Sequence, residues 1–282
     1  MRITTLIENS KEASETKLHN EHGLSFHISF QGNNILFDTG ASDLFSKNAD
    51  VMGIDLSIVH SAVISHHHYD HGGGLSRFLE LNKDAKIYLR EAPDGESYFR
   101  AMWFIKRYVG LDGSLLEANP DRFVFLDEIV EILPSVYIIP KIELTYPKPK
   151  GNKYLYVKKG SEWRLDDFSH ELILLIKDHD GLVIFSGCSH NGMLNMIDTV
   201  TKKFGRTPIK AVIGGFHLIG LPMFDTMAGS RSEIEEIGRK TLTYPIESIY
   251  SGHCTGKKAY QVLKDVMGDK LNQLHTGVVI QT

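Results

Sequence analysis

The chain is predicted to be an α/β protein, on three observations. Short apolar runs of strand length recur along it, and several lead into amphipathic segments of helix length. The turns that follow the strands are built from glycine, serine and threonine. Four of those turns carry histidine, at residues 66–71, 186–191, 214–218 and 251–256. In α/β folds the carboxyl ends of strands are where loops converge, so recurrent histidine there points to one shared site.

The elements follow in order. Residues 24–30 alternate apolar with smaller or polar side chains, Asn33-Asn34 makes a turn, and residues 35–37 are apolar again, which predicts a hairpin. Asp38-Thr39-Gly40 ends the second strand, and Ser42 is placed to cap a helix running to Met52. Residues 62–65 read as a short buried strand that delivers the first histidine run. After the glycines, Leu75, Phe78, Leu79 and Leu81 have helical spacing.

Residues 92–166 are less regular. Residues 96–109, with Phe99, Trp103, Phe104 and Tyr108, read as a helix, and a Pro/Lys-rich stretch occupies 146–151. This segment is read as an insertion or cap on a single domain spanning residues 1–282. From Glu171 the rhythm returns. A hairpin pairs 172–177 with 182–185, an amphipathic helix runs to Phe204, and 209–213 is a strand. A helix at 234–242 and a strand at 246–250 complete the pattern.

Composition excludes several classes. With 282 residues and 42% hydrophobic content the chain is globular, and a net charge of −4 offers no electrostatic footprint for nucleic acid or an anionic membrane. The first twenty residues are polar, unlike a signal peptide, and the longest aliphatic run, 172–176, is far below the roughly 18 residues of a membrane span. Two cysteines, Cys188 and Cys254, are too few for a disulfide framework. A cytoplasmic location is therefore expected.

The most specific feature is His66-His67-His68-Tyr69-Asp70-His71, followed by three glycines. It packs four candidate ligands, His66, His68, Asp70 and His71, into six residues directly after an apolar strand. A bland core would not place so many costly polar groups there, and imidazole with carboxylate is a usual donor set for zinc and similar ions. In extended backbone, residues i and i+2 point the same way, so His66 and His68 can grip one ion. His19, His22, His27, His60, His170, His179 and His275 lack clustered partners in sequence and are read as surface or core residues.

These residues resemble the metallo-β-lactamase fold superfamily. Its marks are Phe37-Asp38-Thr39-Gly40, the H-x-H-x-D-H run, Ser186-Gly187-Cys188-Ser189-His190, Gly214-Gly215-Phe216-His217-Leu218 and His253-Cys254-Thr255-Gly256. The later elements are similar to a branch of dihydropteroate-synthase-like and ribofuranosylaminobenzene-phosphate synthase-related proteins. The resemblance implies a four-layer αβ/βα sandwich and a dinuclear site with two divalent metal ions, zinc foremost, though the same ligands accept iron or manganese. It assigns His66 and His68 to the first ion and Asp70, His71 and His253 to the second, with His190 as third ligand of the first.

One departure stands out. Most members carry Gly-Asp where this chain has Gly187-Cys188, so either Cys188 approaches the metals or His190 takes over without a bridging carboxylate. Asp38 is either a group that orients a ligand histidine or a turn residue before Gly40. His217 either binds substrate or caps its strand, and Cys254 is read as packing. The glycines at 72–74, and Thr255-Gly256 with Lys257 or Lys258, are two places for an anionic group.

The implied activity is a metal-dependent hydrolase using a metal-activated hydroxide on a small anionic ester or phosphoester, with Asp70 as the catalytic carboxylate. The alternatives are a pterin-related alkyl transferase with a diphosphate leaving group, and a metal- or ligand-sensing module without turnover. Redox diiron chemistry is disfavoured, because oxidoreductase members have glutamate in place of His68. Bulk β-lactam hydrolysis is disfavoured by the polar N-terminus. Oligomeric state is open; the partner expected is a small molecule, with no nucleic acid and no membrane.

Overall fold

Leucine, isoleucine, valine and phenylalanine dominate the buried strands. The structure, a computed structural model, describes every residue except Trp103, Arg206, Pro222 and Met223. The chain divides into two units: Met1–Ala92 with Val109–Asp127 and Leu274–Thr282, and Pro93–Tyr108 with Glu128–Gln273. Elements are numbered along the chain.

The first unit is built on a seven-stranded sheet, in the order β18 (Val279–Gln281), β1 (Arg2–Ile7), β2 (Ser25–Phe30), β3 (Asn33–Phe37), β4 (Ser61–Val63), β5 (Lys86–Leu89) and β8 (Phe123–Phe125). Pairing is antiparallel from β18 to β3 and parallel from β3 to β8. Its helices are α1 (Leu44–Val51), α2 (Tyr69–Gly72), α3 (Leu75–Leu81) and α4 (Gly113–Ala118). Phe45, Leu75 and Phe78 from the helices pack against Leu36, Ala62 and Ile87 from the strands. Full burial of each large side chain is worth about 1.5–3 kcal/mol, so this seam fixes where the carboxyl ends of β3 and β4 lie.

The second unit repeats the plan. Its sheet runs β17 (Leu271–Gln273), β16 (Ile246–Gly252), β15 (Ile209–Gly215), β14 (Gly181–Phe185), β13 (Ile173–Asp178), β10 (Val136–Ile139) and β9 (Val130–Leu133). Pairing is antiparallel from β9 to β14 and parallel from β14 to β17. Helices α5 (Met193–Phe204), α6 (Arg231–Thr241) and α7 (Lys257–Met267) pack on it through Ile197, Ile234 and Leu263. No helix among the described residues is long and apolar enough to cross a membrane.

Most predicted elements are present within a residue or two, with three corrections. The β2–β3 turn is Gln31-Gly32, both with positive φ, while Asn33 and Asn34 already pair in β3. The residue just before α1 is Asp43, while the Ser42 hydroxyl, one position earlier, donates to the Glu21 carboxylate and accepts the Leu44 amide (3.3 Å). Residues 96–109 are a hairpin rather than a helix: β6 (Glu96–Ala101) and β7 (Ile105–Tyr108), joined with β11 (Leu155–Lys159) and β12 (Glu162–Leu165) in a four-stranded antiparallel sheet. Phe99 and Tyr108 of the helix reading fall on opposite faces of this hairpin, Phe99 pairing with Arg107 and Tyr108 with Tyr98. Tyr98, Tyr108 and Tyr156 stand at paired positions on one face, while buried Ser97 and Ala101 point the other way. Trp103 of that reading lies outside the described residues.

Helix α6 begins with a reciprocal capping box, Ser230 with Glu233. Replacing Ser230 by alanine is expected to destabilise the fold by about 0.5–2 kcal/mol in urea unfolding. Glu233 is held at about 2 by its hydrogen bond from Lys150 and by the Ser230 amide. Because the folded-state value is depressed, its contribution is complete above the ordinary 4.5. The stability gap between wild type and Glu233→Gln should therefore shrink as pH falls from there toward 2.

Candidate metal centre

In the first unit the carboxyl ends of β3 and β4 meet. Asp38 follows β3 in a left-handed conformation (φ 58°) and is fully buried. Its carboxylate accepts the Ser65 amide (2.7 Å), the Ser65 hydroxyl (2.8 Å) and His71 Nδ1 (2.6 Å). Burial raises the carboxyl above its usual range, with the neighbouring His71 and the hydrogen bonds from His71 and Ser65 pulling the other way. Ser65 Oγ, having donated to Asp38, lies 2.9 Å from His66 Nδ1 and accepts from it. Both histidines thereby carry the proton on Nδ1 and turn Nε2 outward as a lone-pair donor.

The donors of the run then converge. His66 Nε2 is 3.1 Å from His68 Nδ1, the ring centroids of His66 and His71 are 4.2 Å apart, and Asp70 Oδ2 is 3.8 Å from His71 Nε2. All four side chains are buried. His67, between them, instead bonds the Arg90 carbonyl (2.7 Å) and tethers the run to the end of β5. A side chain at Gly73 would strike the carbonyls of Ala41 and Tyr69, so the turn closes only with glycine there.

In the second unit three turns lie side by side at the carboxyl ends of β14, β15 and β16, and hydroxyls stitch them together. Ser189 donates to Gly215 O (2.7 Å), Ser251 to Gly214 O (2.9 Å), and Thr255 Oγ accepts the Phe216 amide (3.0 Å). Ser189, His217 and His253 all have positive φ, at 56°, 46° and 49°. Non-glycine residues held there cost of order 1–3 kcal/mol each, and such strain gathers at functional sites. Cys188 Sγ and ring nitrogens of His190 and His217 lie within 4.8 Å of one another. His253 follows β16 and is buried, and a side chain at Gly215, opposite Gly252, would meet its ring and the Cys254 sulfur.

His190 is held from several sides. Its amide donates to Glu171 (2.8 Å), and the adjacent Asn191 amide donates to the other carboxylate oxygen (2.7 Å). Burial raises the Glu171 carboxyl, opposed by those donors. Its Nδ1 lies 3.1 Å from Asn152 Oδ1 and donates to it, again leaving Nε2 as the lone-pair donor. Phe168 stacks flat on the ring at 4.1 Å. Within each unit the buried donors fit a divalent metal: imidazoles with the Asp70 carboxylate in the first, imidazoles with the Cys188 thiol in the second.

Each sequence candidate can now be placed. His66, His68, Asp70 and His71 are together, and Asp38 is the group that orients His71 rather than a simple turn residue. Cys188, His190 and His217 are together in the second unit. Cys254 is more than packing: its sulfur accepts the His217 amide (3.3 Å) and lies 3.6 Å from Cys188 O. Of the glycines at 72–74, the Gly72 amide is used by His68 O and the Gly73 amide by Gly40 O and Tyr69 O. The Thr255 hydroxyl is likewise occupied, while Lys257 and Lys258 are exposed.

Sequence reasoning missed Ser65, Asn152 and Glu171. It also set aside His22, which stands 3.2 Å from Asp70 Oδ2, and His170, which forms a buried pair with Asp166 at 3.2 Å. Ser65, adjoining the histidine run after an apolar strand, was the one recoverable signal.

A metal-dependent hydrolase of the β-lactamase superfamily, known from its crystal structure, is 32% identical, covers 100% of this chain and 99% of its own, and superposes with a TM-score of 0.82. The chain belongs to the metallo-β-lactamase superfamily. The model of that superfamily matches residues 22–147, and the fold is the metallo-β-lactamase fold, as the motifs implied. Among curated relatives, the 7,8-dihydropterin-6-methyl-4-(β-D-ribofuranosyl)-aminobenzene-5′-phosphate synthase of Methanocaldococcus jannaschii is 28% identical over 298 residues, covering 100% of this chain and 96% of that protein. Zinc-bound PqqB from Methylobacterium extorquens shares the metallo-β-lactamase fold at 11% identity, with a TM-score of 0.58 over 100% of both chains.

The Asp38 network can be tested without metal. In EDTA-treated protein, Asp38→Ala leaves the Ser65 amide, the Ser65 hydroxyl and His71 without their buried acceptor. It should cost roughly 3–5 kcal/mol in urea unfolding. Unchanged stability would show that the carboxylate does not organise the turn.

Proposed function

We propose that the protein is a metal-dependent hydrolase of a small anionic ester or phosphoester, with His66, His68, Asp70, His71, His190 and His253 as ligands of two divalent ions, zinc foremost. The observation that carries this reading is that Nδ1 of His66, His71 and His190 each faces an oxygen acceptor, of Ser65, Asp38 and Asn152, an arrangement that favours Nε2 as the lone-pair donor to a metal. Divalent ions held by such ligands lower the pKa of water toward neutrality and stabilise a developing oxyanion. Asp70 holds the attacking water by accepting one of its protons, and Asp38 keeps His71 in register through the cycle.

A cavity of about 310 Å³ in the second unit supports a small-molecule substrate. It is lined by Pro147, Met193, Phe216, Leu218 and Ile234, and it adjoins the turns of His190 and His217 through Gly192 and Phe216. Lys148, Lys150 and Lys240 also line it, the last two paired with Glu233 and Glu236 of the same lining, so the cavity suits chiefly an apolar body. We place the non-reacting part of the substrate there.

A second reading is a transferase acting on a pterin-related substrate with a diphosphate leaving group. The observation favouring it is the full-length likeness to the M. jannaschii synthase.

Elemental analysis of natively purified protein should find about two metal ions per chain. A panel of esters and phosphoesters should reveal turnover that chelation abolishes and that His66→Ala or Asp70→Ala reduces by at least a hundredfold. Full turnover by metal-depleted protein would overturn the proposal. Pyrophosphate release that depends on an added aromatic amine would select the transferase.

A further inference from the structure

The open face of the four-stranded sheet, away from the metal centre, carries an unusual set of side chains. Tyr98 and Arg100 of β6 pair with Tyr108 and Lys106 of β7. On the other side of β6, Tyr156 of β11 pairs with Tyr98, and Lys158 of β11 pairs with Trp163 of β12. The alternate residues Ser97, Ala101, Leu155 and Val157 are buried, so this set faces outward, with Tyr108 46% exposed.

The rings form one row across all four strands. Ring centroids lie 5.6 Å apart from Tyr108 to Tyr98, 5.2 Å from Tyr98 to Trp163 and 6.5 Å from Trp163 to Tyr156. Three cations gather on the row. Arg100 Cζ is 4.3 Å from the Trp163 centroid, Lys106 Nζ 5.5 Å and Lys158 Nζ 5.8 Å. Among the described residues none of the three forms an ion pair. Glu96, the carboxylate on this face of the four strands, accepts from the Tyr98 hydroxyl (3.2 Å). Cation–π attraction favours each cation over the indole, but three like charges around one ring repel one another, and an anion among them relieves that repulsion.

The cations alone would suit any polyanion; the rings narrow the choice. Aromatic rings on the open face of a sheet stack unpaired bases, while lysine and arginine beside them meet the phosphates. An acidic peptide offers nothing planar to four rings. The net charge of −4 belongs to the whole chain and does not describe this face.

We propose that this face binds single-stranded nucleic acid, with bases on the ring row and phosphates at Arg100, Lys106 and Lys158. The inference is independent of the metal-centre reading, because every residue it uses lies on these four strands.

The test is fluorescence anisotropy of a labelled oligouridylate titrated with natively purified full-length protein over a series of salt concentrations. Wild type should bind saturably, with log Kd rising against log salt at a slope of about 2, as three neutralised phosphates imply. Lys106→Glu should weaken binding roughly tenfold and lower the slope. Tyr108→Ala, which removes a ring and no charge, should weaken it roughly fivefold and leave the slope unchanged. Lys177→Glu, an exposed charge reversal on β13, should leave binding nearly unchanged. No binding by wild type at low salt, or binding that either Lys106→Glu or Tyr108→Ala leaves intact, would overturn the inference. Polyglutamate competing as well as the oligonucleotide would assign the face to an acidic peptide and overturn it. So would free uridine monophosphate competing equally at the same phosphate concentration, which would mark a mononucleotide site. Lys106 and Tyr108 are both exposed, so these variants should fold, and the wild-type titration is decisive without them.

Discussion

A single buried carboxylate organises the histidine run of the first unit. Asp38 is fully buried, so its carboxylate must be met by protein donors, and those it meets are Ser65 and His71. Meeting that need fixes where β4 ends relative to β3 and fixes the proton on His71. Through Ser65 it also fixes the proton on His66. Two histidines of the run, both proposed ligands, thus owe their orientation to one residue outside it.

The cluster of the second unit is held by hydroxyls and by a second buried carboxylate. Parallel strands β14, β15 and β16 bring three small-residue turns into register, and serine and threonine hydroxyls bind each turn to its neighbour. Glu171 is the counterpart of Asp38, a buried carboxylate spent on backbone amides rather than on an imidazole. The two sheets share a plan, antiparallel on one side and parallel on the other, and in each the chemistry stands where the parallel strands end.

Much of this was legible beforehand. The strand–turn–helix rhythm depends on local alternation and on glycine, so β2, β3, β13, β14, α5 and β15 could be read from neighbouring residues. The H-x-H-x-D-H run is equally local. What could not be read are pairings across long separations: Glu171 with His190, Asn152 with His190 and His22 with Asp70 are between 19 and 48 positions apart in sequence. The hairpin at β6 and β7 was misread for a different reason. Its aromatics fit either a helical or a two-residue period over so short a stretch, and only the partner strand β11 settles which period is real.

Asp38, Ser189, His217 and His253 occupy backbone conformations in which glycine would rest more easily. A search for stabilising substitutions guided by backbone comfort would select those four along with Gln31, Met102, Ser135, Phe168 and Asp225. At those four it would exchange the carboxylate that orients His71, a hydroxyl that links two turns and two imidazoles for hydrogen atoms. On the proposed reading of the site, thermal robustness and function pull on these positions in opposite directions.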